Sequence, residues 1–298
     1  MDQYLQVFVT VVEKGNFSRA AEELHMTQPA VSQYIQTLER TIGARLLERT
    51  NKYVRLNKAG NAVYHHAKEI LGLYTRMQRI VDDLTNKASG VLTIGSSYTF
   101  GEYVLPHIMA QLQRSYPDID PTIVIANTKE IAELVANHQL DVGIVEGHLK
   151  EKNLIVEQLA KDSMFIVTSV HHPLGKKEEV SFQDIAKETW IVRESGSGTR
   201  EAQEAMFQKF NISPSKLMEF GSTQLIKESV EAGLGISLLS NWTIQKELQL
   251  KSLKILEIKG LPITREFSVI IRTPFQTKAL EVFIELLREN KFIPWQKK

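Results

Sequence analysis

The stretch from Phe17 to Arg49 constrains the fold of this chain more than any other segment. Its residue pattern predicts two short helices joined by a tight turn at His25-Met26. We expect Ser18 to cap the first helix and Thr27 to cap the second, because a hydroxyl at the N-cap accepts a free backbone N–H. Pro29 falls in the first turn of the second helix, where its missing N–H costs no hydrogen bond.

The second of these helices has two contrasting faces. Val31, Ile35 and Leu38 recur at helical spacing and predict a buried side. Its other side carries neutral groups that both donate and accept hydrogen bonds, namely Gln28, Ser32, Gln33 and Gln36. A helix with such a face can read base edges in a major groove, so we interpret Gln28–Glu39 as the recognition helix of a helix-turn-helix. The alternative is an ordinary helical hairpin with a solvated polar face.

A basic strand-turn-strand segment follows at Leu46–Leu56. Arg49, Lys52 and Arg55 lie in this segment and could contact phosphates. On the recognition helix, Pro29 is a further candidate DNA contact. The segment therefore predicts a wing beside the recognition helix.

With this helix-turn-helix and wing, the chain resembles the LysR-type transcriptional regulators. The matching residues are Phe17-Ser18-Arg19-Ala20-Ala21, Thr27-Gln28-Pro29-Ala30-Val31-Ser32, Leu38-Glu39, Gly43, Leu46-Leu47, Arg49, Lys58-Ala59-Gly60, Leu105-Pro106, Tyr116-Pro117, Leu140-Asp141-Val142 and Ala232-Gly233-Leu234-Gly235-Ile236. The resemblance implies an α/β chain with an N-terminal all-α winged helix-turn-helix, a long linker helix and a two-lobe effector domain like a periplasmic binding protein. Leu47 stands where the family usually has Phe, and Asn57 stands where it usually has a capping Thr.

The segment after the wing carries a strict heptad pattern. Its apolar positions step by four and three residues, at Val63, Ala67, Ile70, Tyr74, Met77, Val81 and Leu84. A seam this narrow is typical of a coiled coil, so we predict pairing with the same helix of a second subunit. Packing of this helix on its own domain is the alternative.

The composition of the chain excludes several classes of protein and shows where its basic residues lie. Residues 1–90 contain 12 basic and 9 acidic side chains against 24 and 26 in the remainder, so the basic excess lies with the DNA-binding motif. The chain has no cysteine, which excludes disulfides and thiolate chemistry. It starts without a basic signal-peptide region and contains no long apolar run, which predicts a cytoplasmic protein without a membrane span.

Alternating strand and helix patterns after residue 90 predict a mostly parallel sheet with helices on both faces. The predicted domains are 1–57 (winged helix-turn-helix), 58–86 (dimerising linker helix), 87–90 (hinge) and 91–298 (effector domain). The family resemblance divides the last into lobe I, 91–161 with 267–298, and lobe II, 162–266.

Two loops, Gly95–Gly101 and Glu194–Arg200, each join a strand to a helix and are rich in hydroxyls and glycines. Such loops bind anions through free N–H groups, although helix capping alone also explains the serines and threonines. The family resemblance adds that Ser97 and Thr99 occupy inducer-contacting positions. We therefore predict an anion-binding cleft, with Glu146 pairing with Arg200 or with a ligand amine. Its candidate residues are Ser96, Ser97, Thr99, Thr128, Glu146, Ser195, Ser197, Thr199 and Arg200.

Together these patterns predict a promoter-binding regulator modulated by a small anionic or acidic metabolite, acting as a homodimer or homotetramer. RNA polymerase is a further candidate partner. The Glu146-Gly147 and Gly-Ser-Gly-Thr-Arg runs resemble the branch of the LysR-type family that is linked to sulfur or carbon-dioxide assimilation. We predict no cofactor, no metal site and no catalytic residue. The alternative is a cytosolic solute-binding protein or enzyme whose N-terminal helices only mediate assembly.

Overall fold

The computed structural model describes residues 2–49, 54–83, 88–147, 149, 151, 153–177, 179–272 and 276–289. Lys52 of the predicted wing and Leu84 of the predicted seam lie outside the described residues, as does the side chain of Arg49. The chain forms two compact units, Met1–Thr85 with Asn137–Gln139, and Asn86–Ala136 with Leu140–Lys298. Among the described residues, none of the helices combines the length and the apolar character that a membrane crossing requires.

The first unit is a helical bundle with a small hairpin. Its elements are α1 (Asp2–Lys14), α2 (Phe17–Glu23), α3 (Gln28–Ile42), β1 (Leu47–Arg49), β2 (Val54–Leu56) and α4 (Lys58–Asp83). The prediction that Ser18 caps α2 is wrong, because the side chain of Asn16 accepts the N–H groups of Ser18 at 2.8 Å and of Arg19 at 3.1 Å. Thr27 caps α3 as predicted, accepting the N–H of Ala30 at 3.4 Å.

The recognition helix is anchored by its predicted apolar face. Val31, Ile35 and Leu38 are at most 1 % exposed and pack against α1 and α2. The start of α4 fits tightly against this core, because a Cβ on Gly60 would lie 2.0 Å from the carbonyl oxygen of Leu46. Asn57 caps α4 by accepting the N–H of Gly60 at 2.8 Å, so the capping role expected for this residue is confirmed.

Helix α4 changes character along its length. Ala67 is 1 % exposed and belongs to the core of the first unit, so this seam position is not available to a second helix. Beyond it the seam residues Ile70, Tyr74, Met77 and Val81 are 43–58 % exposed. Leu73, which the heptad pattern did not include, is 47 % exposed. The apolar surface that α4 leaves uncovered therefore begins at Ile70.

The second unit alternates strands and helices. Its elements are β3 (Gly90–Ser96), α5 (Tyr98–Tyr103), α6 (Leu105–Ser115), β4 (Ile119–Ile125), α7 (Thr128–Ala136), β5 (Val142–Glu146), β6 (Ile155–Ser169), α8 (Phe182–Ala186), β7 (Thr189–Arg193), α9 (Gly198–Lys209), β8 (Lys216–Phe220), α10 (Thr223–Glu231), β9 (Ser237–Ser240), α11 (Asn241–Leu250), β10 (Leu253–Ile255), β11 (Ile263–Ile271) and α12 (Lys278–Glu289). Two helices, α5 and α6, lie between β3 and β4. Pro106 lies in the first turn of α6 and lacks the N–H that a continuous helix would need there.

The sheet is mixed rather than mostly parallel. Strands run in the order β10-β6-β11-β5-β3-β4, with β9 also paired to β6, and β7 pairs with β8 in a separate sheet. The pairs β3–β4, β3–β5 and β7–β8 are parallel, but every pair that involves β6 or β11 is antiparallel. The reason is topological, because the chain leaves lobe I through β6 and returns through β11, so these strands must run in opposite directions.

Each lobe has a core on both faces of its sheet. In lobe I, α6 and α12 pack on one face and α7 on the other. In lobe II, α8 and α9 pack on one face and α10 and α11 on the other. The long strands place Asp162 opposite Arg265 where the chain crosses between the lobes. These paired residues lie beside the strand-to-helix loops in which the sequence predicts a ligand.

Candidate functional site

The polar face of α3 is open to solvent. Gln28, Pro29, Gln33 and Gln36 are exposed and Ser32 is partly exposed, while the opposite face is buried. The side-chain amide of Gln28 donates a hydrogen bond to the hydroxyl of Ser32 at 2.9 Å. The face therefore presents amide groups that can donate and accept toward base edges.

The hairpin beside α3 has the register of a short wing. Leu47 pairs with Leu56, and Glu48 pairs with Arg55. The side chain of Arg55 is exposed. The carboxylate of Glu39 accepts the N–H groups of Leu46 at 2.8 Å and Leu47 at 3.3 Å, which ties the base of the wing to α3. The wing and the polar helix face thus belong to one framework.

The predicted effector residues separate into three groups, and the first surrounds a buried arginine that sequence reasoning missed. Arg265 is 5 % exposed and contacts Glu146 at 2.6 Å and Asp162 at 2.8 Å. Its guanidinium also donates to the hydroxyls of Thr99 and Thr199, each at 2.9 Å. We call these five residues the Arg265 clamp. It joins the start of α5 in lobe I to the start of α9 in lobe II.

Both carboxylate oxygens of Glu146 have partners in this structure. Its second oxygen accepts the N–H groups of Thr99 at 2.8 Å and Phe100 at 3.3 Å. The predicted pairing of Glu146 with Arg200 is therefore wrong. Arg200 instead contacts Glu204 at 2.6 Å and Glu219 at 3.1 Å, because its position on α9 directs it toward the acids on that helix and on β8.

Burial and the neighbouring charges have opposite effects on the pKa values of the clamp residues. Burial lowers the pKa of Arg265, but the facing carboxylates of Glu146 and Asp162 outweigh it and raise that pKa above its ordinary value. For Asp162 burial is the stronger effect and raises the pKa, although Arg265 and the hydroxyl of Ser240 act in the opposite direction. Arg265 thus remains charged and holds the two carboxyl groups together.

The second group lines a pocket of about 310 Å³ between α7 and the loop before α9. It collects the predicted residues Thr128, Ser195, Ser197 and Arg200, together with Lys129. We call this the Thr128–Ser197 pocket. Four glutamates also line it, at positions 133, 151, 201 and 204. The backbone N–H of Lys129 donates to the carbonyl of Gly196 at 3.2 Å, so the two walls are already in contact.

The third group comprises Ser96 and Ser97, which are at most 2 % exposed. The hydroxyl of Ser97 donates to the carbonyl of Ile144 at 3.3 Å, and that of Ser96 donates to the carbonyl of Ser97 at 3.2 Å. These contacts hold the loop after β3 in shape. In this structure the two serines act as supports and do not line the pocket.

Arg193, at the end of β7, is a second residue that sequence reasoning missed. It is 1 % exposed and binds both carboxylate oxygens of Glu194 at 2.7 Å. It also donates to the hydroxyl of Thr223 and lies 4.4 Å from the ring centre of Tyr98 in lobe I. A charged residue that ends an otherwise apolar strand was the available signal. Within the part of the chain that the structure describes, no cluster of three metal-binding side chains occurs.

The chain is similar to known regulators along nearly its whole length. The model for "Bacterial regulatory helix-turn-helix protein, lysR family" matches residues 3–61, and the model for "LysR substrate binding domain" matches residues 85–291. The HTH-type transcriptional regulator CysL of Bacillus subtilis (strain 168) is 36 % identical over 288 residues, covering 96 % of each chain.

Two solved structures extend the comparison. The regulatory domain of CcmR from Synechocystis PCC6803, in complex with 2-PG, has a TM-score of 0.62 and 27 % identity, covering 67 % of this chain and 96 % of that chain. Full-length CbnR complexed with its target DNA has a TM-score of 0.72 and 21 % identity, covering 97 % and 99 % respectively. The first similarity covers two thirds of this chain, and the second covers nearly all of it and shows the fold alone.

Proposed function

This chain belongs to the LysR family of bacterial transcriptional regulators, and on that premise we propose which of its residues read the promoter. Gln28, Ser32, Gln33 and Gln36 contact base edges from α3. Pro29, Arg49, Lys52 and Arg55 contact the backbone. The observation that carries this assignment is the exposed amide face of α3 opposite its buried face.

Variants separate these two roles. Gln33→Ala with Gln36→Ala should lose discrimination between operator and random duplex, since a good base contact contributes about 1–3 kcal/mol of specificity. Arg55→Ala should weaken binding to all duplexes and reduce the salt slope by about 1. The exposed Gln6 of α1 offers the matched control, Gln6→Ala. Salt-dependent operator binding also distinguishes the regulator from a solute-binding protein or enzyme with an assembly domain.

For the effector we propose a small anion in the Thr128–Ser197 pocket. Lys129 and Arg200 supply positive charge, and the hydroxyls of Thr128 and Ser197 supply hydrogen bonds. The four glutamates of the pocket favour a ligand that also carries hydrogen-bond donors, because a bare anion would be repelled. The 2-PG bound to the CcmR regulatory domain has the charge we propose.

Calorimetry on the full chain with 2-PG tests this assignment, and inorganic sulfate serves as the bare anion that the glutamates of the pocket should disfavour. Thr128→Val should weaken binding at least tenfold, because it removes a hydroxyl and leaves the pocket shape intact. A matched control is Thr168→Val, since Thr168 is 0 % exposed and lies on β6 away from the lining residues. Equal affinity in the wild type and in Thr128→Val would place the effector elsewhere.

We further propose that the chain dimerises through α4 and works as a dimer or as a tetramer. The exposed seam from Ile70 to Val81 supports this, and two copies would bring two recognition helices to two half-sites. The proposed domains keep the boundaries 57/58, 86/87 and 90/91. The role is regulatory rather than catalytic, and its place is the cytoplasm, where a bacterial promoter is found.

A further inference from the structure

We propose that Arg265 is the positioning residue through which effector binding changes operator binding, by holding the two lobes together until the effector loosens its partners. This inference rests on the effector site proposed above. The Arg265 clamp is the carrying observation, because one guanidinium receives partners from both lobes.

The clamp is built so that small displacements break it. Thr99 and Glu146 come from lobe I, Thr199 comes from lobe II, and Asp162 lies on the crossing strand opposite Arg265. All four contacts are 2.6–2.9 Å long and are buried. A hydrogen bond weakens steeply with distance and angle, so relative movement of the lobes must release either Thr99 or Thr199.

The backbone shows how closely the two lobes approach at this point. A Cβ on Gly198, the first residue of α9, would lie 2.2 Å from the carbonyl oxygen of Glu146. The chain has glycine where the start of α9 touches the end of β5, and any larger residue would separate them. The close approach is thus a property of the sequence and brings Thr199 within reach of Arg265.

Both walls of the Thr128–Ser197 pocket connect directly to the clamp. The hydroxyl of Thr128 donates to the backbone carbonyl of Glu146 at 3.0 Å. The hydroxyl of Ser197 accepts the N–H of Thr199 at 3.2 Å. An anion that accepts the proton of the Thr128 hydroxyl removes the bond that positions Glu146. The hydroxyl of Ser197 can donate its own proton to the same anion while it still accepts the N–H of Thr199, so it links the bound anion to Thr199. Occupation of the pocket and integrity of the clamp are therefore linked equilibria.

The test uses the threonines, because replacing Arg265 leaves two buried carboxylates uncompensated and endangers folding. Thr99→Val and Thr199→Val remove one clamp bond each at constant shape, while Thr99→Ser and Thr199→Ser restore the hydroxyl. Thr168→Val is the matched control, since its buried hydroxyl has no hydrogen-bond partner among the described residues. Operator affinity is measured without ligand on a duplex that the wild-type chain selects from a random pool.

Without ligand, Thr99→Val and Thr199→Val should shift the operator dissociation constant at least fivefold, in the direction that bound effector shifts the wild type. Both serine variants and Thr168→Val should stay within twofold of the wild type. Valine variants within twofold of the wild type, or a shift equally large in Thr168→Val, would overturn the inference.

A parallel measurement with 2-PG separates this inference from the effector proposal. If 2-PG leaves the wild type unchanged while the valine variants shift, the effector class is wrong and the clamp stands. If 2-PG shifts wild-type operator binding while the ligand-free valine variants match the wild type, the effector site stands and the role of Arg265 is refuted.

Discussion

Replacing the exposed seam of α4 with charge should dissolve the dimer and operator binding together. Ile70 and Met77 are 49 % and 53 % exposed in one subunit, and pairing of two α4 helices would cover this remaining surface. Complete burial of such a side chain contributes about 1.5–3 kcal/mol, so half of that for four side chains amounts to roughly 3–6 kcal/mol per dimer. Each 1.4 kcal/mol is tenfold in affinity, which gives a loss of about 10²- to 10⁴-fold for Ile70→Asp with Met77→Asp.

Sedimentation velocity across a dilution series measures this loss, and operator titration at the same concentrations measures its consequence. Repulsion between the four introduced carboxylates adds to the effect and makes it depend on salt. The control is Asn61→Asp with Thr75→Asp, which places the same charge on exposed positions of α4 outside the seam. A double seam variant that stays dimeric at the wild-type dissociation constant would refute the assignment of this surface to the dimer.

Three further outcomes follow from the structure. Gly198→Ala should force α9 away from the end of β5 and shift ligand-free operator affinity as the clamp variants do, measured by the same titration. Burial raises the pKa of Glu194, but hydrogen bonds and charge from Arg193 outweigh it and hold the pKa below its ordinary value. This contribution is present above the unfolded value of about 4.3 and is lost as pH falls through the folded value, so urea titrations from pH 6 to 3 should show a shallower loss of stability in Glu194→Gln. Asn16→Ala should cost about 1 kcal/mol in thermal unfolding and Ser18→Ala much less, whereas equal losses would contradict the observed cap.

Sequence patterns were most informative where local rules decide the structure. The helical spacing of Val31, Ile35 and Leu38 predicted a buried face, and all three are buried. The cap at Thr27 was confirmed because an N-cap depends only on neighbouring residues. The predicted cap at Ser18 was wrong for an equally local reason, since Asn16 accepts the N–H groups of Ser18 and Arg19 and α2 begins before Ser18.

The two strands that cross between the lobes could be placed only roughly from sequence. The family resemblance placed the lobe boundaries at 161/162 and 266/267, but it did not give the lengths of the two strands, which are 15 and 9 residues. Polar residues interrupt both strands where they pass from one core to the other. Period-two reasoning assumes one buried face along a whole strand, and this assumption fails for a strand that serves two cores.

The Arg265 clamp shows what could not be predicted from the sequence. Its members are ordinary polar residues when read one by one, and their contacts join residues that are far apart in the chain. Arg265 is separated by 66 residues from Thr199 and by 166 from Thr99, and nothing near it in sequence marks it as buried. Sequence reasoning assigned Glu146 to an arginine in a predicted loop, whereas the antiparallel pairing of β5 with β11 brings a different arginine to it. The consequence for function is direct. In this structure the hydroxyls of Thr99 and Thr199, which were predicted to touch an effector, bind Arg265. We therefore propose that an effector acts on the clamp through Thr128 and Ser197, the two predicted residues that both line the pocket and contact clamp residues.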